Sequence, residues 1–287
     1  MSRKSKFITS FVILILALLA AFSFFHASAQ DKSSKNITVG AVGSDAKAWQ
    51  YIAKSDAAKK AGLKITVKTF TDGVSLNQAT ADGTIDVNAF QSYAYYVAYN
   101  QTHKSSKLAV LGNTYLEPMG IYSGQYHKLS ELPDGATIAI PNDPANTSRA
   151  LKLLASVNLI TLKSGFGSLS GTNEIKDNPH NFKFKEIDSK TGPRVEKDSN
   201  IGAVLIGNTD ALEGGLNVLK DSLAHEKIDQ TTKDNINILA TANKNRDNSD
   251  YKKLVALYHD KDVQAYIKKA FDGTKVEVNK PVSYLTD

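Results

Sequence analysis

The sequence predicts an α/β protein made of two units, each with a sheet flanked by helices. From residue 36 onward, apolar strand segments alternate with helical segments, which is typical of a layered α/β fold with a mostly parallel sheet. A second run of strands and helices begins near Leu129, after a polar and aromatic stretch at Gly112–Ser123. With 287 residues, the chain is long enough to form two medium-sized units.

Hydrophobic spacing places the individual elements. Alternating apolar residues predict strands, periodic apolar stripes predict helices, and glycine or proline marks the ends. The predicted strands lie at residues 37–42, 63–70, 85–88, 107–111, 137–140, 182–187, 201–206 and 236–240. The predicted helices lie at residues 46–61, 73–81, 90–100, 148–156 and 249–271, with a loop at 163–172. A ligand site is expected between the units, at the carboxyl ends of strands.

The stretch Thr137–Leu154 carries the strongest local signal for a site. A short apolar strand runs into a helix, which is marked by Asn142 and Asp143 as N-cap residues and by Pro144 at the first helical position. A helix N-terminus offers free N–H groups and a positive dipole end. Arg149, about one and a half turns further, adds a guanidinium fork that can hold a carboxylate. Two interpretations stay open: a site for a small anion such as an amino-acid carboxylate, or a capped helix with a surface arginine.

The N-terminal segment has the pattern of an export signal. Three basic residues precede an almost wholly apolar run at residues 7–25, and Ala27-Ser28-Ala29 forms a small-x-small cleavage motif. We predict a signal peptide at residues 1–29, cleaved after Ala29, and a polar tether at residues 30–35. The apolar run is also long enough to remain as an uncleaved membrane anchor. Both alternatives place the chain from residue 31 onward outside the cytoplasm.

Composition excludes several classes of function. The absence of cysteine excludes a thiol nucleophile, cysteine–zinc sites and lipidation on cysteine. Without the leader, 32 basic residues face 29 acidic ones, so the formal charge falls from +6 to +3 and no nucleic-acid footprint is present. The six histidines lack metal-ligand spacing. We therefore predict no metal, no cofactor and no catalytic residue.

Four stretches together resemble one protein family. They read DVNAFQSYAYYVAYN, GNTYLEPMGIYS, PNDPANTSRALKLL and IGNTDA, in that order. In order and spacing they are similar to the NlpA-type methionine-binding lipoproteins, which are substrate-binding subunits of ABC importers. The resemblance covers nearly all of residues 36–287. It favours the anion-site interpretation of Arg149 over the capped-helix one.

The resemblance implies a two-lobed type II periplasmic-binding-protein fold, with a mixed sheet flanked by helices in each lobe. Lobe 1 is expected at residues 36–115 and 238–287, lobe 2 at 120–232, and the crossing segments near 113–122 and 233–240. It further implies capture of an amino acid, L-methionine first, between the lobes and delivery to a permease driven by a cytoplasmic ATPase. We expect a monomeric protein, held at the membrane by this partner or by a retained leader, or secreted.

The resemblance also implies roles for particular residues. Arg149 matches the arginine that binds the ligand carboxylate, and Asn146 matches an asparagine that supports this end of the site. Asn208 matches an asparagine that contacts the polar head of the ligand from the second lobe. Phe90 and Phe70 match aromatic residues expected to enclose the ligand side chain.

Two residues of the crossing stretch are assigned less sharply by the same resemblance. Tyr115 is a further candidate for ligand contact. Glu117 either receives the ligand ammonium or braces the hinge between the lobes, and both roles stay open.

Two departures from the family pattern bear on function. The family commonly has histidine where this chain has Ser92, so the pocket is expected to be larger or differently bonded there. This favours, as an alternative, a methionine-containing dipeptide or another amino acid. The chain also lacks the lipobox cysteine, which leaves a non-transport surface protein of the same fold as a further alternative. An exported hydrolase is disfavoured because no nucleophile–base–acid set is evident.

Overall fold

Two five-stranded mixed sheets form the framework of the protein. The computed structural model describes residues 36–286, except for the side chain of Gln230. The predicted signal peptide at 1–29 and tether at 30–35 lie outside the described residues. No helix in the described part of the chain is long and apolar enough to cross a membrane.

Strands are numbered in chain order through the described residues. They are β1 Asn36–Val42, β2 Lys64–Phe70, β3 Val87–Asn88, β4 Leu108–Asn113, β5 Tyr115–Leu116, β6 Met119–Tyr122, β7 Thr137–Pro141, β8 Thr161–Leu162, β9 Ile175–Asp177, β10 Lys183–Ile187, β11 Ala203–Gly207, β12 Ala224–His225, β13 Ile238–Ala242 and β14 Val276–Glu277.

Helices are numbered in the same way. They are α1 Ser44–Lys54, α2 Asp56–Lys60, α3 Gly73–Asp82, α4 Tyr93–Thr102, α5 Pro144–Ser156, α6 Gly192–Val195, α7 Asn208–Glu213, α8 Val218–Asp221, α9 Ser249–Tyr258 and α10 Lys261–Ala270. Short 3₁₀ turns lie at Leu129–Glu131, Thr172–Glu174, Ser189–Thr191, Gln230–Asn235, Asn243–Asn245 and Val282–Leu285.

The two sheets have the same kind of mixed topology. The first has the order β2-β1-β3-β13-β4, and the second has the order β10-β7-β11-β6-β12. Four strands of each sheet run in the same direction, whereas β13 runs antiparallel to its neighbours β3 and β4, and β6 runs antiparallel to its neighbours β11 and β12. The expectation of a mostly parallel sheet is therefore confirmed for strand direction, and the one reversed strand of each sheet, β6 or β13, follows a crossing segment.

Apolar side chains cover both faces of each sheet. One face of the first sheet packs on α1, α9 and α10 through residues such as Trp49, Tyr258 and Ile267, and the other face packs on α4. In the second sheet, Leu151 and Leu154 of α5 lie in the core on one side, and a smaller cluster lies on the other. Burial on both faces explains why β7 and β11 are continuous apolar runs without alternation.

Side-chain caps account for most differences between predicted and observed helices. Ser55 caps α2 and Asp260 caps α10, so each of the two long predicted helices is broken into two. Ser92 caps α4, which therefore begins at Tyr93 rather than at Phe90. The crossing stretch contains β5 and β6, which the sequence did not predict.

The turns that follow β1, β7 and β11 face one another between the sheets. Each strand leads directly into a helix: β1 into α1, β7 into α5, and β11 into α7. Val42, Asn142 and Gly207, at or just beyond the ends of these strands, all line one cavity. The fold thus brings the carboxyl ends of strands from both sheets to the same place, as expected for α/β ligand sites.

Gly112 provides a test of how α9 packs on the first sheet. A Cβ atom at Gly112 would lie 2.6 Å from Cγ1 and 2.8 Å from Cγ2 of Val255. We expect Gly112→Ala to lower the free energy of unfolding by about 1–3 kcal/mol, because the crowded helix must shift. Urea denaturation of the single and double variants measures this. Adding Val255→Ala should relieve the crowding. The double variant should then lose less free energy of unfolding than the sum of the losses in the two single variants. Simple additivity would show that the two positions do not compete for space.

Candidate ligand-binding site

A cavity of about 270 Å³ lies between the two sheets. This volume is just below the range for small-molecule sites, which is about 300–1,000 Å³. Its wall contains residues from both halves of the fold: Gly73 and Phe90 on one side, and Asn142 and Gly207 on the other. The space suits a ligand of the size of an amino acid or a short peptide.

The structure brings five of the eight predicted site residues to the wall of this cavity. They are Phe90, Ser92, Glu117, Asn146 and Arg149.

The other three lie outside the lining. Asn208 is fully buried and donates from Nδ2 to Glu117 Oε2 at 2.8 Å. The Tyr115 hydroxyl donates to Asp45 Oδ1, and Phe70 packs against the same small apolar cluster as Phe90. These three residues support the wall, and their ligand contacts stay predictions.

Arg149 is buried and already hydrogen-bonded within the protein. Its Nε donates to both carboxylate oxygens of Glu226 at 2.9 and 3.0 Å, and its Nη2 donates to Glu226 Oε2 at 2.6 Å. Nη2 also donates to the carbonyl oxygen of Glu117 at 2.6 Å. The guanidinium of Arg149 was predicted to bind a ligand carboxylate. Its Nε–Nη2 edge instead binds the carboxylate of Glu226.

The N-terminus of α5 is also occupied from within. The Asp143 side chain accepts from the Asn146 backbone N–H at 3.0 Å and from its Nδ2 at 2.9 Å. Pro144 has no N–H, and the Thr147 N–H donates to the Asp143 carbonyl at 2.8 Å. The expectation of free N–H groups at this helix start is wrong, because the N-cap aspartate uses them.

A buried ion network lies beside Arg149. Lys275 Nζ donates to Asp45 Oδ1 at 3.0 Å and to Glu117 Oε2 at 2.8 Å, and lies 4.3 Å from the ring centre of Tyr115. The lysine side chain is 0% exposed. Two carboxylates around one ammonium leave a net negative charge, which reaches the cavity because Asp45 and Glu117 both line it.

Burial and charge shift the pKa values of these carboxyl groups in opposite directions. Burial raises the pKa of Asp45 to about 6, although Lys275 opposes the change. Burial also acts to raise the pKa of Glu117, but the charge and hydrogen bond of Lys275 lower it overall. On the other side of the cavity, burial together with Glu213 and Glu117 raises the pKa of Asp210 to about 7. Glu117 is thus the most firmly ionised of the three.

Aromatic and hydroxyl groups form another part of the wall. The ring of Phe90 meets the ring of Tyr95 edge-on, with 5.7 Å between centroids. Ser92 lines the cavity and accepts the Tyr95 backbone N–H at 3.2 Å as the N-cap of α4. The serine that departs from the family pattern therefore also serves to start the helix.

A buried amide cluster fixes the loop that carries Phe90 and Ser92. Gln91 and Asn77 exchange two hydrogen bonds at 2.9 and 3.0 Å, and Gln91 Nε2 also donates to Asn88 Oδ1 at 2.8 Å. Asn88 in turn donates to Asn77 and Thr80. Each amide is fully or almost fully buried, so its satisfied hydrogen bonds hold the loop in one conformation.

Most acidic groups of the wall were missed by the sequence analysis. Each follows the carboxyl end of a parallel strand within three residues, a spacing that could have identified them. The missed acids are Asp45, Asp72, Asp188 and Asp210, and Asp143, which was predicted only as an N-cap residue, lines the cavity with them and with Lys190 and Tyr95. In residues 36–286, no group of three or more His, Cys, Asp or Glu side chains is arranged to hold a metal ion.

Comparison with known proteins identifies the family. The family model described as NlpA lipoprotein matches residues 37–279. The chain belongs to the NlpA lipoprotein family. The predicted family and the two-lobed type II periplasmic-binding-protein fold are thereby confirmed.

Relatives of this NlpA-family chain match it over nearly its whole length. D-methionine-binding lipoprotein MetQ of Escherichia coli K12 is 33% identical over 261 residues, which make up 91% of this chain and 95% of that protein. A nutrient binding protein from Burkholderia cenocepacia bound to methionine has a TM-score of 0.79 at 36% identity, covering 85% of this chain and 100% of that one. Protein PG110 from Staphylococcus aureus has a TM-score of 0.82 at 35% identity, with coverages of 87% and 97%.

Asp45 should make the stability of this NlpA-family protein depend on pH. Its folded pKa is about 6 and its ordinary value 3.8, so the folded state binds more protons between these values, and stability falls as the pH rises through this window. Between pH 4 and pH 7, the wild-type free energy of unfolding should fall by about 2 kcal/mol relative to Asp45→Asn.

Urea denaturation across this pH range tests the expectation. Asp247→Asn, at a side chain that is 85% exposed, is the matched control and should follow the wild type. A difference between wild type and Asp45→Asn that stays constant with pH would show that Lys275 cancels the effect of burial on the pKa of Asp45.

Proposed function

We propose that this protein is an extracytoplasmic solute-binding protein of an ABC importer. It captures an amino acid, with L-methionine as the first candidate, in the cleft between its lobes and delivers it to the permease. One observation carries the proposal: a cationic group and an anionic group lie side by side in the cavity wall, because Arg149 Nη2 donates to the backbone of Glu117. The α-carboxylate and α-ammonium of an amino acid are separated by a single carbon atom and match this pairing.

The arrangement fixes an orientation for the ligand. Its carboxylate lies toward Arg149, and its ammonium lies toward Glu117 and the net negative charge around Lys275. Its side chain then extends toward Phe90 and Tyr95, where an unbranched thioether gains contact with aromatic rings. Charge complementarity holds the polar end, and burial of apolar surface adds affinity at the other.

We propose a role in transport rather than in catalysis. The carboxylates next to the ligand are held by Lys275, Asn208 and Thr209, so they serve as fixed acceptors for the ligand. We propose a monomer whose lobes, at residues 36–115 with 238–287 and at 120–232, close over the ligand. The crossing segments at 113–122 and 233–240 act as the hinge. Since the sequence contains no cysteine, membrane association is through the permease or a retained leader.

Ser92 supports a second candidate ligand, a methionine-containing dipeptide or another amino acid. It presents a small hydroxyl to the cavity at a position where the family commonly has histidine. The acidic groups beyond it, such as Asp72 and Asp188, can receive the ammonium of an added residue. A dipeptide should then bind more tightly than free methionine.

Titration calorimetry of residues 31–287, refolded to remove carried-over ligand, tests the proposed function. L-methionine should bind, and Arg149→Ala should weaken binding by about 2–5 kcal/mol, because a buried charge-assisted contact is lost. The panel includes D-methionine, other L-amino acids and methionine dipeptides.

Two controls accompany the titration. Arg246→Ala, at a side chain that is 64% exposed and outside the cavity lining, should bind like the wild type. Thermal unfolding establishes that each variant is folded before it is titrated. Unchanged binding in Arg149→Ala would remove the carboxylate assignment, and no binding of any panel member by the wild type would remove the proposed function.

Gly43 should affect ligand affinity through closure of the lobes. It has φ +54°, and a Cβ atom there would lie 2.9 Å from atoms of Glu213 and Thr209 in α7, across the cleft. We expect Gly43→Ala to weaken methionine binding at least tenfold, because the added methyl group holds the lobes apart.

Gly62 supplies the matched control for this variant. It has φ +67°, and a Cβ atom there would meet nothing within 4 Å. Gly62→Ala therefore places an alanine at a positive φ without a contact across the cleft, and should lower stability while leaving affinity unchanged. Equal affinities for the two variants would contradict a role of Gly43 in closure. Calorimetry and thermal unfolding give the two readouts.

A further inference from the structure

We infer that Glu226 is a positioning residue that fixes the guanidinium of Arg149, so that one amino group, Nη1, faces the ligand carboxylate. The inference rests on the proposed function, because it concerns how the same cavity recognises a carboxylate. Glu226 is absent from the cavity wall, and nothing in the sequence singles it out. Its role follows from the hydrogen bonds between Glu226 and Arg149.

The donors of Arg149 can be counted individually. A guanidinium has five N–H groups, one on Nε and two on each terminal nitrogen. The Nε group points at Glu226, and the two groups of Nη2 go to Glu226 and to the carbonyl oxygen of Glu117. Within residues 36–286, no hydrogen bond uses the two N–H groups of Nη1, on a side chain that lines the cavity. A ligand carboxylate therefore meets Nη1 and leaves the Nε edge to Glu226.

Glu226 is itself held rigidly. It is 7% exposed, and Oε2 accepts the Met119 backbone N–H at 2.8 Å while Oε1 accepts Asn235 Nδ2 at 3.1 Å. The Glu226 backbone N–H donates in turn to the Met119 carbonyl at 3.0 Å. These contacts tie the carboxylate to β6 and to the 3₁₀ turn Gln230–Asn235. Its position is thus independent of the ligand.

The Arg149–Glu226 pair also determines how the cavity recognises a ligand carboxylate. Arg149 and Glu226 together carry no net charge, so the ligand carboxylate meets two directed donors instead of an unbalanced cation. Directed donors depend on the rotamer of the arginine, and that rotamer depends on Glu226. Loss of the Glu226 charge should therefore reduce the preference for a ligand that has a carboxylate over one that lacks it.

The test compares L-methionine with L-methioninol, which keeps the ammonium and the side chain but lacks the carboxylate. In Glu226→Gln, methionine affinity should fall at least tenfold while methioninol affinity stays within about twofold of the wild type. Arg149→Ala should give the same pattern, and the double variant should lose no more than Arg149→Ala alone. Glu226→Asp, which keeps the charge, should be intermediate. Glu174→Gln, at an exposed ion pair, is the matched control.

Three results would overturn the inference. Tighter methionine binding in Glu226→Gln would show that Glu226 acts only by weakening the arginine. Equal losses for both ligands would show a general structural role. Additive losses in the double variant would show that the two residues act separately.

A readout without ligand separates this inference from the proposed function. The Nε–H resonance of Arg149, assigned from its absence in Arg149→Lys, should be protected from exchange in the wild type and in Glu226→Asp, and lost in Glu226→Gln. A protected resonance in Glu226→Gln would overturn the positioning role whichever ligand the cavity takes. If Glu226→Gln does not fold, the test uses Glu226→Asp. The preference of this variant for methionine over methioninol should be lower than that of the wild type. Failure of the wild type to bind any panel ligand would overturn the proposed function alone.

Discussion

The buried ion pair between Arg149 and Glu226 connects the parts of the structure that form the site. Arg149 belongs to α5, Glu226 follows β12, and the same guanidinium binds the backbone of Glu117 in the stretch between the sheets. One side chain thus holds a helix start, a sheet edge and a crossing segment at fixed distances. Arg149 therefore connects the cavity wall to all three of these parts.

Such a site places several charges largely out of contact with solvent. Two cations, Arg149 and Lys275, and three anions, Asp45, Glu117 and Glu226, are each less than one tenth exposed. Taking these groups out of water costs several kcal/mol per ion, so each must have partners with good geometry. Lys275 between two carboxylates and Glu226 with four donor groups meet that requirement. The remaining net negative charge is what a ligand ammonium would balance.

The sequence predicted the fold closely because strand and helix periodicity are local properties. The strands at β1, β2 and β7 and the helix after β7 were found within a few residues, and the motifs around Phe90 and Arg149 identified the family. Five of the eight proposed site residues line the cavity. The errors at Ser55, Ser92 and Asp260 arose because a single hydroxyl or carboxylate can start a helix where the apolar pattern continues.

The sequence by itself determined the two-unit α/β architecture, the family and the arginine of the site, since these depend on short-range patterns and contiguous motifs. Only the tertiary structure decided which charges surround that arginine. Glu226 lies 77 residues from Arg149, and Lys275 lies 230 residues from Asp45. No local pattern encodes such pairs, because they form only when the two sheets are assembled and the buried charges must find partners. The same assembly determined that Asn208 and Tyr115 support the wall from behind, whereas Tyr95 and five aspartates line it.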